Sequence, residues 1–499
     1  MGLFQKHCFG RFLIFALTGV VLLAIVACQK SGSSDPAVQT PVARVGEQDI
    51  SWDAVQQSFF LEPRWGKGLT RREAYANQLG YLIEQKLFAQ AAISAGLDKT
   101  PGMEARLTFI LEKEMIKALY RDRVEEQVEI SDDELREAYR RANMRLKLAY
   151  AASPDAARAL RYRDFLSKST IDSLTLIHPA DQKGLTPLFS FGDMDEALET
   201  VAFNLKMNEV GGPVQLEGEF WVLKLIGGDR DLVTFEADYQ QRKASLRKVI
   251  FERRAHQLSE AFIAGLMKDK KVRLNPDTFT PLAQLFNQIV QVKEGENAIP
   301  VNLTGGEIRQ LDEEIRDLAN QPLVSFDGES ISVAEFIRYL EIMPGDLRPR
   351  VRMAPELKIA VARMVRNRYL VDLATENNYE NHPEVRQAWA DQRDELLSRA
   401  YLKLLREKVS YRPGELDSFA QSPAGASLVQ QFGERMNREM LGNALMDVKF
   451  RRYRLSRADS LAVLFPVEID TLALEGRISD PDEVLEADPV RMVFREKFN

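Results

Sequence analysis

The chain has 499 residues, of which 45% are hydrophobic, and its formal net charge is −7 at pH 7. This length and hydrophobic content are enough for two to four domains with buried cores. The acidic balance argues against a nucleic-acid-binding protein, because such proteins need basic surfaces to neutralise phosphates. Charged residues make up 28% of the sequence and are interspersed without a long block of one sign. This pattern is typical of the solvated faces of helices.

The first residues form a basic start followed by an apolar run. Lys6 and Arg11 precede an apolar stretch over residues 12–26. The sequence IVAC, at residues 25–28, overlaps the end of this stretch. Such a pattern is typical of a secretory signal, whereas a membrane-spanning helix needs about twenty apolar residues. The four residues resemble the lipobox of bacterial lipoproteins, and the resemblance implies cleavage before Cys28 and a lipid on that cysteine. The alternative is a short uncleaved anchor.

Residues 28–42 are predicted to be the lipidated cysteine and a flexible tether, because Ser and Gly are frequent just after Cys28. Gln29 rather than an aspartate follows the cysteine, which in enterobacterial lipoproteins favours the outer membrane. We therefore expect a lipoprotein of the cell envelope that faces the periplasm, in the outer rather than the inner membrane. Removal of residues 1–27 takes away Cys8, two basic residues and no acidic residue, so the net charge changes from −7 to −9.

An internal repeat is predicted after the tether. The sequence VGEQDIS at residues 45–51 reappears as FDGESIS at residues 326–332, an offset of 281, and each copy predicts a short strand, a turn and the start of a helix. Residues 82–97 match residues 364–379 at an offset of 282, and a proline follows each match four residues later. Offsets that differ by one residue over such a distance indicate a repeated structural unit. The alternative is two unrelated helical hairpins.

Within the first copy, apolar residues recur at the 3.6-residue spacing of an amphipathic helix. Gly96 is predicted to end the first helix, because glycine adopts the left-handed conformation without a Cβ penalty. The repeated modules should therefore be mainly helical. Most of their apolar stripes should pack internally, and any surplus apolar surface is available to a partner. The spacing of the apolar residues does not show which residues have which role. The stripes are Leu79, Leu82, Ile83, Leu87 and Ala91, then Leu107, Ile110, Leu111, Met115, Ala118 and Leu119.

A segment of mixed pattern interrupts the first copy and is missing from the second. The first copy then resumes with a long helix-forming run and closes on a strand-like segment that starts at Val272, and the second copy closes similarly from Val467. The predicted organisation is a signal peptide (1–27), the lipidated cysteine and tether (28–42), helical module 1 (43–143 and 229–280) around the insert (144–228), a linker (281–319), helical module 2 without an insert (320–475) and a C-terminal tail (476–499).

The insert carries a family resemblance. The sequences FSFGDM at 189–194, AFNL at 202–205, NEVGGPV at 208–214 and FWVLKL at 220–225 resemble the C-terminal half of parvulin-type peptidyl-prolyl isomerases. Together with the flanking helices they resemble the SurA, PrsA and PpiD group of envelope foldases. The resemblance implies a mainly α protein with an inserted α+β parvulin-like domain and two repeated helical chaperone modules.

The residues of the insert also predict its local structure. Asp195 can cap a helix, whose buried stripe would be Leu198, Val201, Ala202 and Leu205. The glycines and proline at residues 211–213 are predicted to turn the chain into a strand pair. In the last strand Trp221, Leu223 and Leu225 share one face, which should be the packed one.

The resemblance fails at the positions that matter most for rotamase chemistry. Family members carry one histidine in the first strand and one in the last, and the corresponding residues here are Leu148 and Trp221. The four histidines of the chain, His7, His178, His256 and His382, are too distant in sequence to replace them by a small register shift. We therefore predict no catalytic residue. The family groove would survive as a peptide-binding site formed by Phe189, Met194, Leu198, Phe203 and Trp221.

These losses do not by themselves decide whether the insert is an isomerase. Rotation about an X-Pro bond is opposed by amide resonance, with a barrier of about 18–20 kcal/mol. An enzyme lowers this barrier by binding the twisted amide more tightly than the planar amide, without a covalent nucleophile. An apolar groove without histidine is thus compatible with residual activity or with peptide binding alone. His178, in a predicted loop, is interpreted as a bystander.

No other chemistry is indicated by the sequence. It contains no glycine loop for phosphate and no cysteine and histidine cluster for zinc, so we expect no cofactor, metal, nucleotide or nucleic acid. The predicted function is a lipid-anchored envelope chaperone that holds unfolded or partly folded exported proteins in a cleft between helical modules. The alternatives are an active peptidyl-prolyl isomerase and a structural subunit for envelope assembly.

Overall fold

The structure is a computed structural model that describes residues 41–168, 177–230, 235–290, 302–351, 353–435 and 437–486. The predicted signal peptide and Cys28 lie outside the described residues. The described residues form two compact units, of which the smaller contains residues 119–270 and the larger contains residues 41–118 and 271–486. In the described part of the chain, no helix combines the length and apolar character needed to cross a membrane.

The secondary structure is mainly helical, with small antiparallel sheets. The strands are β1 (Ala43–Val45), β2 (Gln48–Ile50), β3 (Met144–Ser153), β4 (Gln182–Leu185), β5 (Val210–Leu216), β6 (Glu219–Arg230), β7 (Val272–Leu274), β8 (Pro322–Phe326), β9 (Glu329–Ser332) and β10 (Val467–Ile469). The helices are α1 (Trp52–Leu61), α2 (Arg71–Ser94), α3 (Pro101–Arg123), α4 (Asp132–Ala142), α5 (Ala156–Lys168), α6 (Glu196–Asn204), α7 (Glu236–Met267), α8 (Pro276–Ile289), α9 (Gly305–Glu314), α10 (Val333–Ile342), α11 (Ala354–Glu376), α12 (Pro383–Glu407), α13 (Pro413–Ala420), α14 (Pro423–Phe432), α15 (Arg438–Leu464) and α16 (Thr471–Glu475).

In the larger unit, two hairpins each lead into a helix that a serine caps. Ser51 precedes α1 and Ser332 precedes α10, and each hydroxyl accepts a hydrogen bond from the backbone N–H three residues later. Such caps satisfy amide groups that have no partner inside the helix. The strand, turn and helix order predicted around residues 45–51 and 326–332 is present at both places.

The third strand of each small sheet comes from a distant part of the chain. β10 pairs antiparallel with β1, with Ala43 opposite Ile469, and β7 pairs antiparallel with β8, with Leu274 opposite Val324. The closing strand of the first predicted module therefore pairs with the hairpin of the second, and the reverse also holds. This pairing differs from the expectation that each copy closes on its own strand. The physical reason is that strands pair through backbone hydrogen bonds, so the sequence of a short strand does not specify its partner.

The core of the larger unit forms where α2 packs along α12 and α15. Apolar residues of β1 and α2, such as Val45 and Phe88, share this core with Leu397 of α12 and Leu461 of α15. Gly96, after α2, adopts the left-handed conformation with φ 72°, as the sequence predicts. The buried carboxylate of Asp394 on α12 forms an ion pair with Lys86 on α2, at 3.2 Å.

The smaller unit contains a four-stranded antiparallel sheet in the order β4–β3–β6–β5. Helix α5 packs on one face of this sheet, where Ala151 and Val222 are buried. The opposite face, with the buried Leu148 and Leu223, packs on α6. Helices α4 and α7, which precede and follow the sheet in the chain, pack against each other through a separate apolar cluster. This arrangement agrees with the predicted α+β character of the insert.

Candidate peptide-binding face of the inserted domain

The five predicted groove residues lie in one apolar cluster on the α6 face of the sheet. Phe189 and Leu198 are buried in the cluster, while Met194, Phe203 and Trp221 pack against it and remain partly exposed. The rings of Phe189 and Phe203 meet edge to face, with centroids 6.2 Å apart. Two of the predicted residues therefore belong to the core, and the other three offer apolar surface to solvent.

Strand β6 and helix α6 present these side chains as their sequences predict. Leu223 and Leu225 of β6 are buried on this face, and Trp221 packs beside them. The side chain of Asp195 accepts a hydrogen bond from the N–H of Ala197 and so caps α6. Of the predicted stripe on α6, Leu198 and Ala202 are buried, and Val201 and Leu205 are partly buried against the same cluster.

Leu148, which corresponds most closely to the first histidine of the parvulin pattern, is fully buried in β3. Its side chain has no exposed surface. Its N–H donates to the hydroxyl of Thr186 at 2.9 Å, and its carbonyl accepts from the N–H of Thr186 at 2.9 Å. Leu148 pairs with Leu225, whereas Trp221 lies four residues earlier on β6, opposite Ala152. At strand spacing the two substituted positions are about 13 Å apart along the sheet.

Tyr150 lies beside Trp221 on this face. Its ring lies 5.5 Å from the indole of Trp221, measured between centroids, and burial raises the pKa of its hydroxyl. A Cβ at Gly184 would lie 2.9 Å from the Tyr150 hydroxyl, so the glycine makes room for the phenol. A phenol is neutral at pH 7 even at its ordinary pKa of about 10, so the face around Trp221 carries no charge from Tyr150.

The Gly-Gly-Pro sequence was predicted to turn the chain, and that prediction is wrong. Residues 211–213 lie inside β5, where the pairing with β6 is irregular, and the chain reverses at Glu217 and Gly218. A Cβ at Gly212 would approach the carbonyl oxygen of Trp221 to 2.4 Å, and a Cβ at Gly211 would approach Val201 to 2.5 Å. The glycines are needed for close packing of β5 against β6 and α6.

A buried ion pair behind the face was not visible in the sequence. Glu199 on α6 is 1% exposed and pairs with Arg253 on α7 at 2.7 Å. Arg253 also donates to the carbonyl of Met194 at 3.2 Å, and its guanidinium lies 4.9 Å from the ring centroid of Phe191. Nothing in the sequence indicated the pair, because its members are 54 positions apart and each resembles an ordinary surface charge.

His178 lies on the other side of the sheet from the candidate face. Its neighbour Ile177 belongs to the cluster between the sheet and α5, and the imidazole itself is exposed and accepts a hydrogen bond from the N–H of Ala180 at 3.2 Å. Close by, Asp181 is largely desolvated, yet hydrogen bonds from Tyr162 and Arg158 hold its pKa below the usual value. These hydrogen bonds, with that from the N–H of His178 to the Tyr162 hydroxyl, hold the loop in place.

Within the described ranges, no group of three or more histidine, cysteine, aspartate or glutamate side chains is arranged to hold a metal ion. No protein-family profile matches the chain, and no curated protein matches it.

Solved structures that match the chain include two foldases. Peptidylprolyl isomerase PrsA from Bacillus anthracis is 19% identical, with 37% of this chain and 94% of that chain covered and a TM-score of 0.19. Foldase protein PrsA from Streptococcus pneumoniae is 12% identical, with 42% of this chain and 84% of that chain covered and a TM-score of 0.19. TM-scores this low do not establish a common fold.

Proposed function

We propose that this protein is a lipid-anchored envelope chaperone that binds unfolded or partly folded exported proteins, and that its parvulin-like insert lacks efficient isomerase activity. The observation that carries the proposal is the composition of the α6 face. Met194, Phe203 and Trp221 offer partly exposed apolar surface over a buried apolar core. The fully buried Leu148 occupies the position that corresponds to the first histidine of the parvulin pattern.

An apolar face of this kind is suited to binding rather than to proton transfer. Partly exposed aromatic side chains bury a large apolar area when a peptide covers them, at a small cost in side-chain entropy. Binding to many unrelated clients requires such non-directional contacts, because the hydrophobic effect does not depend on a specific hydrogen-bond pattern. The proposed clients are extended segments rich in apolar or aromatic residues, and their release would follow from client folding without nucleotide.

The repeat also forms part of the proposal, in which the helical modules add client-binding surface to that of the α6 face. In support, Gly96 and Asn378, at the predicted offset of 282, both adopt the left-handed conformation, with φ of 72° and 59°. Each is followed by a short 3₁₀ turn and a long helix that begins with proline, α3 or α12. We propose that modules at residues 43–143 with 229–280 and at residues 320–475 are copies of one unit.

One observation favours the second candidate, an active peptidyl-prolyl isomerase. The side chains of Met194, Phe203 and Trp221 together leave apolar surface on which a proline ring can pack. Binding the twisted amide more tightly than the planar amide would then be sufficient for some acceleration. The absence of imidazole on this face removes the polar group that the resemblance would use to orient the peptide.

Two refolding clients separate the candidates, one limited by proline isomerisation and one not. The proposal predicts that the protein suppresses aggregation of both and accelerates neither. Acceleration confined to the proline-limited client would support the isomerase. A single stable stoichiometric partner in a pull-down, without aggregation suppression, would support a structural envelope-assembly subunit.

The lipid anchor has its own test. Cys28→Ser should leave a soluble or signal-retaining precursor that takes up no acyl label, and Cys8→Ser is the matched control that should be labelled normally. A single acyl chain anchors only marginally, with a partition constant of about 10⁴ M⁻¹, so more than one chain is expected on Cys28. Normal acylation and processing of the Cys28→Ser chain would contradict the anchor.

A further inference from the structure

Four exposed apolar side chains of the larger unit lie within ten residues of the chain, in and around β10, which pairs with β1 at the start of the described fold. Among the described residues, Val463 and Leu472 are the two most exposed large apolar side chains, at 82% and 84%. Leu464 and Ile469, which lie between them in sequence, are also exposed. Large exposed apolar side chains that recur within ten residues indicate a surface that contacts something other than water.

The backbone holds these four side chains, hereafter the apolar patch, in fixed positions. Ile469 is paired with Ala43 in the β1–β10 ladder, and the N–H of Asp470 donates to the carbonyl of Val42 at 3.0 Å. The carboxylate of Asp470 caps α16 by accepting from the N–H of Ala473. Neighbouring side chains of the same segment, among them Leu461, Val467 and Leu474, pack into the core. The outward direction of the patch is therefore set by a rigid segment.

We propose that the apolar patch, Val463, Leu464, Ile469 and Leu472, docks onto the lipid surface to which Cys28 tethers the chain. The inference rests on the proposed lipid anchor. The described fold begins at residue 41, and residues 29–41 span at most about 45 Å when fully extended. The patch is thus confined close to the bilayer, where tethering gives an effective concentration of the order of millimolar. At that concentration, even a weak apolar contact between the patch and the bilayer would form for much of the time.

The charges beside the patch specify which lipid it fits. Glu468 and Asp470 are both exposed and acidic, and Arg44 lies opposite Glu468 in the ladder. This edge therefore has no excess of positive charge to attract anionic headgroups. Insertion of apolar side chains into the boundary between headgroups and acyl chains scales with the buried apolar area and does not need an anionic lipid. The partner is therefore a neutral, zwitterionic lipid surface, and docking would orient the larger unit with its β1–β10 edge toward the membrane.

A single fluorescent label tests the docking. The chain from residue 28 onward with Cys28→Ser has no cysteine and no acyl chain, and Leu472→Cys then accepts one environment-sensitive dye. With phosphatidylcholine vesicles at millimolar lipid, which reproduces the effective concentration that the tether provides, we expect a blue shift of the dye at position 472. We expect no shift at Met353→Cys, which is exposed to an extent similar to that of Ile469. Val463→Gln with Leu464→Gln should weaken vesicle binding about tenfold or more.

Other occupants give different results, and each would overturn the proposal. No shift with vesicles, or a shift that requires anionic lipid, would exclude a neutral lipid surface. A shift produced by a permanently unfolded client but not by vesicles would indicate a client site. A dye that is buried without vesicles, in a chain that sediments as a dimer, would indicate a second copy of the chain. Aggregation suppression by the Val463→Gln, Leu464→Gln chain should equal that of the parent. Failure of the parent to suppress aggregation would refute the chaperone, and failure of Cys28 acylation in cells would refute the anchor. The vesicle result does not depend on either measurement.

Discussion

Arg253 forms a two-point ion pair with Glu199, with Nη1 3.0 Å from Oε1 and Nη2 2.7 Å from Oε2. The same carboxylate accepts the N–H of Gly192 at 2.9 Å, and Arg253 reaches the carbonyl of Met194. Glu199 belongs to α6 of the insert and Arg253 to the flanking helix α7. The pair therefore fixes the loop that carries Met194, and with it one edge of the candidate face.

Loss of one partner should be costly, because it leaves the other charge buried. Arg253→Met is expected to destabilise the smaller unit by about 3–5 kcal/mol, measured by urea unfolding. Arg140→Met, which removes an exposed arginine paired with Glu137, is the matched control and should cost less than about 1 kcal/mol. Arg253→Met combined with Glu199→Leu should recover most of the stability. Equal losses for Arg253→Met and the control would refute a structural role for the pair.

The insert should be dispensable for the fold of the larger unit. The main core of that unit, which includes Phe88 and Leu397, contains no residue of 144–228. Replacing residues 144–228 by a short flexible linker, together with Arg253→Met so that no buried cation loses its partner, should leave a cooperative thermal transition. Client holding should be weaker, because the α6 face is removed, and any holding that remains would belong to the helical modules. A calorimetric scan without a cooperative transition would show that the larger unit depends on the insert. Loss of holding alone would place the holding surface on the insert.

Acid should destabilise the contact between α4 and α7. A hydrogen bond from Lys243, reinforced by Tyr239, holds the pKa of Asp132 at about 2, and a hydrogen bond from Arg254 holds the pKa of Glu134 at about 2. Unfolded carboxyls titrate near 4. Both values are lower in the folded chain, so this contribution to stability is complete above about pH 5 and is lost as the pH falls toward 2.

The pH dependence can be assigned to these pairs by substitution. Lys243→Met with Arg254→Met should flatten the dependence of unfolding free energy on pH between about 5 and 2. Both carboxylates are exposed, so added salt should have a similar but weaker effect. An unchanged slope in the double variant would mean that other carboxyls dominate acid unfolding.

Restoring the family histidines should not create an isomerase. Leu148→His with Trp221→His places the two imidazoles about 13 Å apart along the sheet. The first would also be buried without a designed partner, at a cost of a few kcal/mol. Trp221 is partly exposed, so its replacement should cost less than the roughly 3–5 kcal/mol typical of a fully buried large side chain. Unfolding of each single variant should show the larger loss at Leu148. Isomerase activity gained in the double variant would contradict this interpretation.

Local features of the fold were predictable from the sequence because neighbouring residues determine them. The left-handed Gly96, the capping Asp195 and the packed face of Trp221, Leu223 and Leu225 each follow from one residue type or one periodicity. The position of Gly211 and Gly212 inside β5 could not be predicted from residue type or periodicity. The physical reason is that glycine serves both in turns and where another chain segment approaches closely, and only the packed structure distinguishes these uses.

Long-range pairings were not predictable in this way. The pairing of β7 with β8 and of β10 with β1 joins segments far apart in the chain, and no local signal records it. The ion pair of Glu199 with Arg253 likewise joins residues far apart in the chain and has no local signal. At the candidate site, the five predicted residues were found in one cluster, but the division between the buried Phe189 and Leu198 and the partly exposed remainder required the tertiary structure.

The central claim is that this protein holds clients without catalysing proline isomerisation, and one paired measurement tests it most directly. A proline-peptide isomerisation assay and a client aggregation assay should be run on the same preparation of the wild-type chain, Met194→Ala and Leu198→Ala. The account predicts little or no acceleration by the wild-type chain, together with clear suppression of aggregation. Robust wild-type isomerisation that either substitution abolishes, without loss of folded protein, would contradict the account and establish an enzyme.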